Sequence, residues 1–186
     1  MFHIKVDDLE MRLLEESDAE QLFALTDRNR AYLRRWLPWL DDTTTPAHTL
    51  AFIRSSIEQF AEDNGFQLGI VYRGELAGVI GIHYVNRQHK KTEIGYWLAE
   101  GFQGRGIMTR CCRALVDYSF SDLELNRVEI RCALENIRSR AIPERLGFTQ
   151  EGIQKDAEWL YDHFVDLVMY SMLAGNWVKK AEGSRQ

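Results

Sequence analysis

Gln103-Gly104-Arg105-Gly106-Ile107-Met108-Thr109 puts two glycines and an arginine just ahead of an amphipathic run. Such a loop can do one piece of chemistry with its backbone alone: it can hold an anion. The residues before it, "KTEIGYWLA", read as a strand that ends at Leu98. Met108 to Phe120 carries Cys111, Leu115, Val116 and Phe120 at helical spacing. The loop therefore sits at a helix N-terminus, where backbone N–H groups are unpaired and the dipole is positive. Glycines at 104 and 106 permit φ > 0 and close approach of a ligand. Arg105 and Arg110 add charge, and Thr109 adds a hydroxyl. That combination suits a pyrophosphate. No Gly-Lys-Ser/Thr follows, and the third glycine of a dinucleotide fingerprint is missing. On these residues alone, a tight strand-to-helix turn and a phosphate cradle fit equally well.

Other residues are of types that move protons. Glu93 is a carboxylate inside the apolar strand, on the same face as Gly95 and Trp97. Burial is expected to raise its pKa toward the range of a general base. Its plain alternative is a strand carboxylate paired with an arginine. His83, on the preceding strand, is a rival base with an ordinary pKa near neutral. Its plain alternative is a structural histidine bonded to a backbone carbonyl. Asn136 is placed to cap the helix "NIRSRAIPERLGF", which ends at Gly147. Ser139, near the start of that helix, is also of a locally capping type.

The elements that must position these residues follow from the sequence pattern. "LEMRLLE" (Leu9 to Glu15) reads as a first strand. Ser17 with Glu20 reads as a capping box for a helix running to Arg28. "RAYLRRWLPW" is a short helical stretch that stops near Pro38, and Ala47 to Asp63 a longer helix. "FQLGIVYRGELAGVIGIHYV" is a hairpin around Arg-Gly-Glu. "RVEIRCAL" and "DHFVDLVMYSML" are later strands. The result is an α/β (α+β) mixed sheet, hairpins first and strand–helix–strand crossovers later. A doubly wound fold would alternate more regularly. One domain is expected over residues 1–178, with a polar tail at 179–186.

Composition bounds the function. A net charge of −5 argues against general nucleic-acid binding. No apolar run approaches the ~20 residues of a membrane span, and "MFHIKVDDLE" shows no signal pattern. Three cysteines, two of them adjacent (Cys111, Cys112), make neither a disulfide framework nor a metal spacing. A cytoplasmic protein without a metal is expected.

The loop together with "ALENIRSRAIPERLGF" resembles the GNAT superfamily of acetyl-CoA-dependent N-acetyltransferases. The family's Gln/Arg-x-x-Gly-x-Gly/Ala loop appears as Gln103-Gly104-Arg105-Gly106-Ile107-Met108, and its Asn-x-x-(Ala/Ser) helix runs from Asn136 through Ser139 to Gly147-Phe148. "TEIGYWL", "YLRRWLPWL" and "DLVMYSML" are similar to the RimJ/RimL branch, which includes ribosomal-protein N-terminal acetyltransferases. The resemblance spans about Leu9 to Leu173. It implies a central mixed sheet whose fourth and fifth strands splay apart around the pantetheine arm. The edge Trp97-Leu98-Ala99 would bond that arm, residues 103–109 the pyrophosphate, and Asn136 the pantetheine. Ser139 would donate to the departing sulfur, and Tyr32, Trp36 and Trp39, with His83, would line the acceptor site. Two departures stand out. Met108 replaces a small residue, which is tolerable if its side chain enters the core. Pro143 stands where many members carry the tyrosine that protonates the thiolate, so that tyrosine's role is excluded. Pro143 also removes the helical N–H that would bond the Ser139 carbonyl, so a local bend or a short helix is expected.

The reading that follows is direct acetyl transfer from acetyl-CoA to a primary amine, with Glu93 as base and Ser139 as hydrogen-bond donor to the departing sulfur. Cys111 and Cys112 are expected to be inert core thiols rather than nucleophiles. The favoured acceptor is a protein N-terminus, with a polyamine or an aminoglycoside as the alternative. A homodimer is expected from the family. Two other classes remain: a non-catalytic acetyl-CoA-binding module, and a phosphate-binding α/β domain for some other nucleotide, which competition between CoA and ATP separates.

Overall fold

A computed structural model of the chain describes residues 2–177, and the tail expected at 179–186 lies outside them. The strands are β1 (His3–Val6), β2 (Leu9–Leu13), β3 (Phe66–Tyr72), β4 (Glu75–Asn86), β5 (Lys91–Leu98), β6 (Arg127–Ala133), β7 (Thr149–Leu160) and β8 (His163–Leu173). The helices are α1 (Ala19–Arg28), α2 (Arg30–Leu33), α3 (Pro46–Ala61), α4 (Ile107–Ser121) and α5 (Ile137–Arg145). The sheet order is β1-β2-β3-β4-β5-β6-β8-β7.

The apolar, β-branched runs of β3 and β4 supply the sheet's centre: Leu68, Ile70, Ile80 and Ile82 are fully buried. Their turn is set by positive φ at both Arg73 and Gly74, the conformation that matches strand twist. Leu22 and Leu25 of α1 and Ile53 of α3 pack on one face with Leu76 and Val79. Ile107, Cys111, Cys112, Leu115 and Val116 of α4 and Ile142 of α5 cluster with core residues on the other.

All neighbouring strands run antiparallel except β5 and β6. That parallel pair is joined only at Lys91–Arg127, Thr92–Val128 and Glu93–Glu129. Past Glu93, β5 stays paired with β4 as far as Leu98, and β6 stays paired with β8 as far as Ala133. A wedge therefore opens between them. The expected splay is present, one strand later in the count because β1 precedes it.

Two strands escape the sequence patterns. β1 is four residues long. β7 is a mostly exposed edge strand with two register shifts, which erase any alternation. The Ser17–Glu20 capping box is not formed. A 3-10 turn over Glu16–Asp18 leads into α1, and the reciprocal box joins Glu15 and Asp18 instead. α5 is a short helix of nine residues that runs through Pro143.

Asp18 fixes this helix entry to the sheet. Both its carboxylate oxygens accept from Arg12 at 2.7 Å, and one also accepts the Glu15 N–H at 2.8 Å. The Arg12 hydrogen bonds hold the carboxyl below its ordinary 3.8, against burial, which raises it. A depressed folded pKa contributes stability above the unfolded value, and this is lost as pH falls through the folded one. Asp18→Ala is therefore expected to cost about 2–3 kcal/mol at pH 7, and less at pH 3. Urea unfolding at the two pH values checks this, and an equal loss at both contradicts it.

Candidate active site

Two cavities meet at the wedge between β5 and β6. One, of about 950 Å³, lies under the loop that precedes α4. The other, of about 620 Å³, lies beneath the α2–α3 connection and reaches Glu93, Arg131 and Glu158. They share Trp36, Leu37, Tyr96, Trp97, Asn136 and Ser139.

The loop has the geometry of a cradle. Gly104 and Gly106 have φ of +74° and +68°, and a Cβ on either would meet no atom within 4 Å. Backbone conformation, not crowding, is what demands glycine here. Gly106 directly precedes α4, so the first-turn N–H groups of a fifteen-residue helix face the larger cavity. Arg105 closes the loop by donating to the Gly101 carbonyl at 3.1 Å. Arg110 is not available as expected: it pairs with Asp8 at 2.8 Å and Asp7 at 3.6 Å. Met108 is buried in the core, which removes the first of the two departures.

Gln103 acts as a strut. Its amide donates to the Tyr32 hydroxyl, and its oxygen accepts from Arg138 at 2.5 Å. Leu98, Gln103, Ile107 and Thr109 line the larger cavity, and Trp97 lines both. Ala99 does not line either: it is buried, its N–H donates to Ala77 at 2.8 Å, and its carbonyl accepts from Phe102 at 3.0 Å. Tyr32 lies on the larger cavity with Gln103, rather than in the acceptor wall where it was expected. Asn136 caps α5, accepting from the Ser139 N–H at 3.3 Å. Donors at a helix N-terminus, a narrow gap and a wide cavity fit the diphosphate and pantetheine arm of coenzyme A.

The smaller cavity holds the titratable groups. Glu93 is 6% exposed. Its Oε1 accepts from Arg131 at 2.7 Å and from His83 Nδ1 at 3.1 Å. Burial pushes this carboxyl up, but those hydrogen bonds and the Arg131 charge outweigh it and leave the pKa below the ordinary carboxylate value. The expected rise is thus reversed, because a cation and an imidazole already occupy the carboxylate. The His83 ring lies over Gly95, where a Cβ would stand 2.1 Å from Nε2.

Glu158 was not anticipated, because β7 gave no pattern from which to place it. It lines the cavity half-buried and has no hydrogen-bond or ion-pair partner among the described residues. Burial raises its pKa, and the charge of Arg131 offsets only part of that rise.

Trp36 and Trp39 form the wall, with Trp39 6.3 Å from the Trp97 ring. Arg30 donates to the Leu40 carbonyl and, at 2.6 Å, to that of Thr43. The Tyr161 hydroxyl donates to Leu37 and accepts from the Leu40 N–H at 3.1 Å, tying the wall to the β7–β8 hairpin. Cys111 and Cys112 are buried, which pushes the Cys111 thiol up to about 12 and that of Cys112 well up too. Among the described residues, no group of three or more His, Cys, Asp or Glu could hold a metal. No described helix is long and apolar enough to cross a membrane.

Residues 8–149 match the acetyltransferase (GNAT) domain family. The chain is 41% identical over 179 residues to a Bacillus subtilis protein named "Putative ribosomal N-acetyltransferase YdaF", covering 95% of this chain and 98% of that one. It is 30% identical to the ribosomal-protein-serine acetyltransferase of Escherichia coli, covering 91% and 96%. The structure of RimL, a ribosomal L7/L12 alpha-N-protein acetyltransferase in complex with coenzyme A, superposes with a TM-score of 0.90. That match has 31% identity and covers 94% of this chain and 99% of the other.

Gly106 holds a left-handed backbone, which costs a residue with a Cβ about 1–2 kcal/mol. Gly106→Ala is therefore expected to weaken coenzyme A binding several-fold by calorimetry. Gly101→Ala, at an open position without positive φ, should not. Equal losses in both would contradict the cradle.

Proposed function

Since the chain belongs to the GNAT acetyltransferase family, we propose that it acetylates the N-terminal amine of a ribosomal protein in a single ternary complex with acetyl-CoA. Acyltransferase activity with acetyl-CoA as cosubstrate comes with the family. The acceptor is the step beyond it. Relatives that act on ribosomal proteins support it, as does the charge of the smaller cavity. Of its two carboxylates, Glu93 is neutralised by Arg131, which leaves Glu158 alone for an incoming ammonium. One spare carboxylate suits one amine. A polyamine with several ammonium groups would find no matching set of acids here.

Acetyl-CoA supplies an acetyl group already activated as a thioester. The chain's own residues do the rest. The loop N–H groups of 104–109 and the exposed edge of β5 near Trp97 hold the cosubstrate. Trp36 and Trp39 enclose the acceptor. The free, half-buried carboxylate of Glu158 is the observation that carries the mechanism: it takes the proton of the attacking amine. An N-terminal amine, with an ordinary pKa of about 7.7–8.0, needs only such modest help. Ser139 stands at the junction of the cavities. Its hydroxyl donates only to a weak acceptor, Cys132 Sγ at 3.3 Å, with a long 3.5 Å contact to the Tyr96 hydroxyl, so it can turn to donate to the leaving sulfur. Glu93 serves instead to fix His83 and to compensate Arg131. Three free cysteines support a reducing, cytoplasmic setting. A homodimer is carried by the family resemblance.

The test is release of free CoA thiol with peptides beginning with Ser, Ala or Met, with spermidine and with an aminoglycoside. Release with the Ser or Ala peptides is expected. Release with spermidine or the aminoglycoside alone would replace the acceptor, and binding of CoA without any release would favour the non-catalytic module. With the active peptide, Glu158→Gln should lower kcat by roughly 10²-fold or more. It should also remove from the acid limb of the kcat profile the titration of Glu158, which burial raises above the ordinary glutamate value, while the limb that the acceptor amine gives to kcat/KM stays. Glu93→Gln should keep the carboxylate titration in kcat. A titration that disappears with Glu93 and not with Glu158 would reverse the two roles.

A further inference from the structure

Tyr96 and Pro143 raise a question that the mechanism does not use. In a regular helix the N–H of residue 143 would bond the carbonyl of Ser139, four residues earlier. Proline has no N–H to give. The carbonyl of the residue proposed to meet the leaving sulfur therefore loses its helical partner, at a position close to the junction of both cavities. A carbonyl partly removed from water and left in that state is costly.

The structure supplies a replacement from another element. The hydroxyl of Tyr96, on β5, donates to the Ser139 carbonyl at 3.1 Å. The same oxygen lies 3.5 Å from Ser139 Oγ and 3.9 Å from Cys132 Sγ. Tyr96 thus touches α5, β6 and its own strand across the top of the wedge. Burial lifts its pKa well above the ordinary phenol value, so it stays a donor throughout the working range.

We infer that Tyr96 is a positioning residue: its hydroxyl takes over the hydrogen bond that Pro143 removes and thereby holds Ser139 in register with the wedge between β5 and β6. The inference rests on the role of Ser139 proposed above. It also explains why a proline is tolerated inside a nine-residue helix that carries a reacting group. The helix is held from β5 rather than by its own ladder.

The chemistry suggests a rescue experiment. Tyr96→Phe keeps the ring and removes only the oxygen. Pro143→Ala restores an N–H that can bond the Ser139 carbonyl. If Tyr96 acts through that carbonyl, the second change makes the first harmless. Tyr96→Phe is expected to lower kcat roughly tenfold, with KM for acetyl-CoA within about twofold of wild type. The Tyr96→Phe/Pro143→Ala double variant should recover most of the lost kcat and melt at a higher temperature than Tyr96→Phe. A double variant as slow as the single one, or a single variant as fast as wild type, overturns the inference. If Tyr96→Phe alone does not fold, the double variant still must, and its failure to fold counts against the inference equally. Ser139→Ala, assayed alongside, separates the two levels. A normal kcat for Ser139→Ala removes the role of Ser139 and this inference with it. A slow Ser139→Ala beside a normal Tyr96→Phe removes only the inference.

Discussion

The parallel pairing of β5 and β6 stops after Glu93 and Glu129, and both cavities of the candidate site are arranged around that stop. Each strand keeps its other neighbour, so the sheet does not come apart. What remains is a wedge with backbone edges that have lost their strand partner. Backbone groups removed from water need partners, and a narrow ligand with amide groups is a natural one. At one end of the wedge lies the N-terminus of α4, with its unpaired donors. Beside it, on the same cavity, lies α5, capped by Asn136. The wedge also joins the two faces of the sheet, so a molecule held on the α4 side reaches groups on the side of α1 and α3.

Electrostatics on the far side follow from neighbouring strands. His83 on β4, Glu93 on β5 and Arg131 on β6 form a bonded row, and Glu158 on β7 stands beyond it within the field of Arg131. Two carboxylates in one cavity thus have opposite pKa directions. Glu93 is buried deeper, yet it is the one held ionised, because it has partners. Glu158 is more open, yet burial raises its pKa, because no hydrogen bond and only the charge of Arg131 opposes that rise. Burial alone does not identify a base; the partners decide.

Much of this was legible in the sequence. The glycines at 104 and 106 mark the cradle because only glycine takes positive φ cheaply ahead of a helix. The apolar β-branched runs mark β3 to β5, and Asn136 marks the start of α5. The loss of a helical bond at Pro143 was also legible, but not its replacement by Tyr96, which depends on a contact between strand and helix 43 residues apart in sequence. Glu93 stood out as a carboxylate in an apolar strand, but its pKa direction depends on Arg131 and His83, which no local pattern pairs with it. Glu158 was invisible for a different reason. β7 is an exposed, bulged edge strand whose polar residues show no period, and the place of Glu158 in the cavity is defined only by what the sheet sets across from it. The backbone groups of Ala99 were assigned from resemblance, and the structure shows them already bonded within the fold.

The measurement that tests the central claim most directly is a crystal structure of the protein with coenzyme A and a peptide that begins with serine. The account predicts that the pantetheine arm crosses the wedge just past Glu93 and Glu129. The sulfur should then lie beside Ser139, and the peptide's amino group within hydrogen-bond reach of Glu158 under Trp36 and Trp39. A coenzyme that avoids the wedge, or a peptide amine seated on Glu93 with Glu158 turned to solvent, would contradict it.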